Sequence, residues 1–181
     1  MRNIRELFEQ TSLSRVGDPK VASDLNAPEM IILWTLRSWV WETVAHGKVG
    51  ATFAERFADV DCLDAAPPLA SFLEIVGSVA IRRIQIHKPC CSQLGSDEKR
   101  FLHVFAAQQN GRALEAFEAL SQLLPPTAVR VALDHALKIA QCFGRSGMFL
   151  AERNWNLPEL SPAHRLRAPL AITTDIRKMI H

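Results

Sequence analysis

The residues best suited to chemistry lie together near the middle of the chain, in the run His87-Lys88-Pro89-Cys90-Cys91. This run places an imidazole and two thiols within five residues. Neutral imidazole and thiolate are ligands that zinc prefers, and a thiolate beside a positive charge is also a nucleophile or a redox group. The segment therefore has two chemical interpretations, a metal site and a reactive thiol.

A metal site would use His87 with Cys90 or Cys91 and more distant ligands such as Cys62, Cys142, Glu98 or His135. Zinc sites usually take their ligands in closely spaced pairs, and the spacing from His87 to Cys90 fits one such pair. No second pair is present in the sequence. The sequence thus nominates His87, Cys90 and Cys91 as candidate ligands of zinc or iron, with an incomplete ligand set.

A reactive thiol would depend on the charges around it. A helix predicted to begin at Ser96 directs its positive end toward the two adjacent cysteines, and Lys88 or a charged His87 would also lower a thiol pKa. Nucleophilic catalysis would need one thiol activated by His87 and a third group, such as Glu98, that orients the imidazole.

The alternative for every cysteine is simple packing, because a free cysteine is among the most often buried side chains. Cys62 and Cys142 are each isolated in the sequence, so we interpret them as small hydrophobic residues. For Cys90 and Cys91 the packing and the chemical interpretations stay open.

The elements that position these groups are predicted to be helices. Capping residues, prolines and glycines divide the chain, and no stretch shows sustained alternation of apolar and polar residues. The fold class is all-α, an irregular bundle of five or six main helices with an extended, proline-containing C-terminal segment. We predict one domain: an arm over 1–24, a helical core over 25–144 and a docking tail over 145–181. The main helices are expected over 26–46, 52–60, 67–88, 96–110, 112–124 and 127–143. Asn26 and Glu29 should cap the first of these helices, and its polar face should carry Thr35 and Ser38. The helices over 96–110 and 112–124 should form an αα-hairpin that turns at Gly111.

Helical spacing directs four polar side chains toward the interior or its edge. At about 100° of rotation per residue, Arg37 falls within an apolar stripe, and Arg83 and His87 continue the stripe of the helix that Pro89 should end. Glu98 shares the apolar side of the following helix. Because a buried charge needs a partner, we predict an ion pair between Arg83 and Glu98. The alternative is an anion-binding pocket lined by Arg37, Arg83 and tryptophans.

The overall composition excludes several classes of partner. Lys and Arg total 21 against 19 for Asp and Glu, and this balance does not predict nucleic-acid binding. The most apolar window, 30–44, is shorter than a membrane span of about 20 residues and contains Arg37. The N-terminal residues lack the apolar run of a signal peptide, so a cytoplasmic protein is expected.

With no complete catalytic motif, the sequence favours a regulatory or protein-interaction module. The alternatives are the metal- or thiol-dependent site and a small anion-binding bundle. The tail is too apolar to stay solvated, so it should dock on its own body or on a second subunit, which would give a homodimer. The apolar residues that carry this prediction are Phe149, Leu150, Trp155, Leu157 and Leu160.

Overall fold

The fold was analysed in a computed structural model that describes residues 16–46, 57–58, 60 and 62–158, with the backbone alone at 45 and 46. These residues form five α-helices and no β-strand, so the predicted all-α bundle is confirmed. Short 3-10 turns, Ala22–Asp24 and Leu63–Ala65, precede the first two helices. The helices are α1 Ala27–His46, α2 Ala66–Val79, α3 Ser96–Gln109, α4 Ala113–Ser121 and α5 Pro126–Arg145.

Some predictions concern residues outside this description. The proposed arm over 1–15, the start of the short helix near residue 52, Leu160 and the tail beyond residue 158 belong to this group. They stay predictions.

The core is built around α3, which packs against α1, α4 and α5, while α2 packs against α5. Phe72 of α2 lies edge-on to Phe101 of α3 with ring centroids 5.7 Å apart, and Phe105 lies 5.1 Å from Phe72. Because neighbours surround α3, even its polar residues Glu98 and Arg100 are buried. The central helix therefore holds charge inside the bundle.

Helix α1 begins as the sequence predicts. The Asn26 side-chain oxygen accepts the Glu29 N–H at 3.0 Å, and the Glu29 carboxylate accepts the Asn26 N–H at 2.8 Å, which is a reciprocal capping box. The expected division into an apolar and a polar face is wrong, since Thr35 and Ser38 are buried. Thr35 is satisfied there because its hydroxyl donates to the Ile31 carbonyl at 2.6 Å.

Helix α2 ends earlier than predicted. It stops at Val79, just after Gly77 and Ser78, and no helix covers 80–95, which we call the connector. Within the connector Ile84 and Ile86 are buried, while the residues between and beside them are exposed or half-buried. Burial therefore alternates from one residue to the next, as it does in an extended chain. A helical projection cannot apply there, so the predicted helical positions of Arg83 and His87 are wrong, and Arg83 is exposed.

Helices α3 and α4 form the predicted αα-hairpin, and Gly111 sits at its turn with φ of 71°. Only glycine adopts this left-handed conformation without steric cost.

We expect Gly111→Ala to lower the free energy of unfolding by about 1 kcal/mol for that reason. Gly144→Ala is the matched control, because Gly144 is helical and a Cβ at either glycine would meet no atom within 4 Å. Urea denaturation would measure both, and equal effects would contradict the conformational explanation.

The described part of the C-terminal segment docks on its own body. Leu150 is buried, and its N–H donates to the Gln109 side-chain oxygen at 2.8 Å. The Gln109 amide nitrogen donates in turn to the Met148 carbonyl at 2.8 Å. Trp155 packs against the core, whereas Phe149 is exposed. Intramolecular docking is thus the arrangement of this part, and the homodimer stays a prediction.

Candidate functional site

Glu98 is the centre of a buried hydrogen-bond network. Its side chain is fully buried at the first turn of α3. Arg37 approaches it side-on, with Nε 2.8 Å from Oε1 and Nη2 2.9 Å from Oε2. The N–H groups of His87 and Gly95 donate to the same carboxylate at 2.9 and 2.8 Å, and the His87 Nδ1 lies 3.0 Å from Oε2. The carboxylate is therefore fully satisfied by protein groups.

The Arg37 guanidinium also makes several hydrogen bonds. Besides Glu98 it donates from Nη1 to the Cys91 carbonyl and from Nη2 to the Gln93 carbonyl. The inward orientation predicted for Arg37 and Glu98 is confirmed, but the predicted partner Arg83 is wrong, because Arg37 takes that place. We call this arrangement the first clamp: it ties α1, α3 and the connector together. Only one of the guanidinium donors is left for any ligand.

The pKa of Glu98 makes the first clamp sensitive to acid. Burial alone would raise the pKa of this carboxyl, but hydrogen bonds from Arg37, His87 and Gly95 outweigh burial and lower it below its ordinary value of 4.5. A group whose folded pKa is depressed contributes stability that is complete above its unfolded pKa and is lost as the pH falls through the folded pKa.

We therefore expect the free energy of unfolding to fall as the pH drops below about 4.5. Urea denaturation at a series of pH values from neutral to acid would measure this slope. In the Glu98→Gln variant the slope should be shallower, since that side chain does not titrate. A slope that Glu98→Gln leaves unchanged would assign the acid sensitivity to other carboxyls.

A second clamp repeats the first at the start of α1. Arg153 donates from Nε to Oε1 of Glu29 at 2.7 Å and from Nη2 to Oε2 at 2.8 Å. Its Nη2 also donates to the Asp24 carbonyl at 2.9 Å. Both side chains are buried. This clamp fixes the C-terminal segment to the start of α1.

The two clamps match atom for atom. In each, a glutamate in the first helical turn accepts the N–H of the residue three positions earlier, Asn26 or Gly95. In each, the arginine Nη2 also donates to the carbonyl two positions before that residue. The sequence carries the same signature twice, a leucine four residues before Glu29 and before Glu98. A third pair, Arg82 with Asp97, holds the connector beside the first clamp.

The connector does not gather its cysteines and His87 into one ligand set. Cys90 is exposed, Cys91 is half-buried, and the His87 Nδ1 faces Glu98. Among the residues that the structure describes, no group of three or more His, Cys, Asp or Glu side chains could hold a metal ion. The zinc or iron site at His87, Cys90 and Cys91 therefore stays a prediction that no described ligand set supports.

The four thiols should differ in reactivity. Cys62 and Cys142 are buried and line one cavity of about 290 Å3, and burial raises the pKa of Cys62. Since the thiolate is the reactive form, iodoacetamide should modify Cys90 first and Cys62 and Cys142 last. Timed alkylation followed by peptide mass spectrometry would give this order. Modification of Cys62 before Cys90 in the folded protein would contradict this order. Protein unfolded in urea is the control, because all four thiols are then equally accessible.

A pocket of about 360 Å3 lies between α3, α4 and the C-terminal segment. One turn of α3 contributes Arg100 and His103, and residues 153–155 and 157 contribute the C-terminal wall. The wall from α4 and the residue that caps its end is a stripe spaced by three, four and seven residues, as one helix face requires: Glu115, Glu118, Ala119 and Gln122.

Arg100 is the unusual residue of this pocket. It is 1% exposed, yet its one described hydrogen bond runs from Nη2 to the Pro158 carbonyl at 3.0 Å. Its Nε has no partner among the described residues, and no carboxylate among them lies within ion-pair distance. Burial lowers the pKa of Arg100, an effect that the charge of Asp97 opposes in part. Among the residues that the structure describes, Arg100 is thus a buried cation without a counter-ion in contact.

Two further buried polar atoms of the pocket lack partners in the described part of the chain. These are the Gln122 side-chain oxygen, an acceptor, and the Trp155 indole nitrogen, a donor. Buried polar groups are nearly always hydrogen-bonded to protein, water or ligand. Three such atoms around one pocket therefore indicate that a polar molecule or water completes it.

The sequence did not identify this pocket. Arg100 adjoins the apolar run of α3, and nothing in the local pattern shows that a helix surrounded by neighbours buries its polar side too. The signal that could have indicated it is the spacing of Glu115, Glu118 and Gln122, which places three polar groups on one face of α4.

Comparison of the chain with protein-family models, with curated proteins and with solved structures finds no match. Of the helices described, none combines the length and the apolar character needed to cross a bilayer. The clamps and the pocket are therefore the features from which a function can be inferred.

Proposed function

We propose that the protein binds a small organic anion in the pocket between α3, α4 and the C-terminal segment. The observation that carries this proposal is Arg100, which is buried against the pocket and has no carboxylate partner within the described ranges of the chain. The volume of about 360 Å3 lies within the usual range for small-molecule sites, about 300–1,000 Å3.

Burial of the Arg100 guanidinium has an energetic cost that a bound anion would offset. Removing a guanidinium from water costs several kcal/mol unless a counter-charge and hydrogen bonds replace its hydration. Arg100 has one described hydrogen bond, from Nη2, and its Nε has no partner among the described residues. A carboxylate or phosphate can accept two parallel N–H groups from an arginine, which makes an organic anion the best chemical complement.

The position of this site differs from the anion site expected from the sequence. Of the two arginines nominated there, Arg37 is occupied by Glu98 and two carbonyls, and Arg83 is exposed on the connector. Arg153 also borders the pocket, but Glu29 neutralises it. Arg100, by contrast, has an Nε donor without a described partner.

The regulatory or protein-interaction role and the cytoplasmic location expected from the sequence stay predictions. The thiol-dependent activity has no described activating contact at Cys90 or Cys91. We therefore rank the anion pocket first among the candidate functions.

The indole of Trp155 provides a local probe of the pocket. Protein labelled with 5-fluorotryptophan has four fluorine positions, and Trp155→Phe identifies the one in the pocket. Addition of small carboxylates or organic phosphates from a panel, at constant ionic strength with chloride as the reference salt, should shift the Trp155 resonance. The resonances of Trp34 and Trp39, which do not line the pocket, should stay in place.

Substitution separates a binding role of Arg100 from a structural one. Arg100→Met should abolish the shift while leaving the fold at least as stable, because replacing a buried, unpaired charge by a hydrophobic residue removes its desolvation cost. Arg83→Met, at an exposed arginine, is the matched control and should bind as the parent does. If no anion in the panel shifts Trp155, or if Arg100→Met binds equally well, the proposal is wrong.

A further inference from the structure

We infer that the ligand is a small zwitterion that carries a carboxylate and an ammonium group, as a free amino acid does. This inference rests on the proposed function and specifies its ligand. The residues that line the pocket include two buried donors without acceptors and one buried acceptor without a donor among the described residues, so a purely anionic ligand would satisfy only the donors.

The donor side consists of the Arg100 Nε and the Trp155 Nε1, two N–H groups of different elements. Both are buried and both lack acceptors among the described residues. A carboxylate has two oxygens and about four lone-pair sites, so one carboxylate can accept from a guanidinium and an indole together. The charge of Arg100 favours a carboxylate over a neutral carbonyl.

The acceptor side lies at the end of α4, where Gln122 is the C-cap residue. The Gln122 side-chain oxygen is buried without a donor, and Glu118, one turn earlier on the same face, makes no ion pair with any described residue. An ammonium group offers three donors and a positive charge, which suits an amide oxygen beside a carboxylate. A ligand with a carboxylate alone would leave Gln122 unsatisfied and would meet the negative field of Glu118.

The other ionisable groups of the pocket have partners. Glu115 lies 3.9 Å from the His103 Nε2 and 3.5 Å from the Arg112 Nη1, and Arg153 is held by Glu29. Within the part of the chain that the structure describes, the charges without an ion-pair partner in the pocket are one cation, Arg100, and one exposed anion, Glu118. One positive and one negative centre in a small pocket are complementary to a ligand that carries one of each.

Saturation-transfer difference NMR with the full chain would test this inference. The probes are the proteinogenic L-amino acids in small pools, and each amino acid that binds is then compared with two matched analogues. Its amide lacks the negative charge, and its deaminated acid lacks the ammonium group. We expect at least one amino acid to bind and both analogues to bind about tenfold or more weakly, as the loss of a charged hydrogen bond requires.

Variants assign each end of the ligand. Arg100→Met should remove the preference for the amino acid over its amide, and Gln122→Leu should weaken binding of the amino acid but not of the deaminated acid. Gln85→Leu is the control, because Gln85 is exposed on the connector. Far-ultraviolet circular dichroism and thermal unfolding of each variant would confirm that the fold is kept.

The outcomes distinguish this inference from the proposed function. If a deaminated acid binds as tightly as the amino acid and depends on Arg100, the anion site stands and the zwitterion inference is overturned. If no amino acid binds while another anion shifts Trp155, the inference is again overturned alone. If neither amino acids nor the anion panel bind, both are wrong.

Discussion

Replacing Glu98 by alanine is expected to lower the free energy of unfolding by about 3–5 kcal/mol, because breaking a buried ion pair leaves its partner uncompensated. Arg37, which is 2% exposed, would lose two hydrogen bonds and its counter-ion. The N–H groups of His87 and Gly95 would lose their acceptor as well. The connector should therefore become less ordered in the same variant.

Urea denaturation would measure the loss, and Glu118→Ala is the matched control because Glu118 is an exposed glutamate of α4. The double variant Arg37→Met with Glu98→Leu should be more stable than Glu98→Ala, since it removes both charges and restores apolar volume. A loss for Glu98→Ala no larger than that for Glu118→Ala would contradict the first clamp.

Replacing Arg153 by methionine is expected to lower the free energy of unfolding by about 3 kcal/mol, since Glu29 would remain buried without a counter-charge. Glu29 is 1% exposed, so water cannot replace the lost contacts without a rearrangement. The Asp24 carbonyl would lose a donor too. The effect should be concentrated in the C-terminal segment, which Arg153 attaches to α1.

Hydrogen exchange read by mass spectrometry would locate this effect. Peptides covering 148–158 should lose protection in Arg153→Met, whereas those of α5 should change little. The control is Arg145→Met, an exposed arginine at the end of α5. Uniform loss of protection in both variants would contradict a local role for the second clamp.

The sequence predicted those features that local interactions decide. The capping box of Asn26 and Glu29 depends on residues three positions apart, and it forms as predicted. The hairpin turn at Gly111 depends on a backbone conformation that glycine favours. The inward orientation of Glu98 and Arg37 was also predicted. Both residues lie in helices that the structure contains, so a projection at about 100° per residue places their side chains correctly.

The features that distant contacts decide could not be predicted in this way. The partner of Glu98 is 61 positions away, and two arginines were equally available to the sequence argument. Placing Arg83 and His87 inside required α2 to continue, but the helix ends at Val79 and the chain buries Ile84 and Ile86 in an extended conformation instead. The pocket at Arg100 depends on how α3, α4 and the C-terminal segment pack together. A short stretch of sequence does not specify that packing.

The most direct test of the anion site is the Arg100 Nε–H resonance in an arginine-selective proton–nitrogen spectrum. Its assignment is the cross-peak that Arg100→Met removes. On titration with a panel of carboxylic acids and amino acids, the site predicts that this resonance shifts and saturates. The Nε–H resonances of Arg37 and Arg153, which donate to Glu98 and Glu29, should stay in place. An Arg100 resonance that no member of the panel moves would contradict the site.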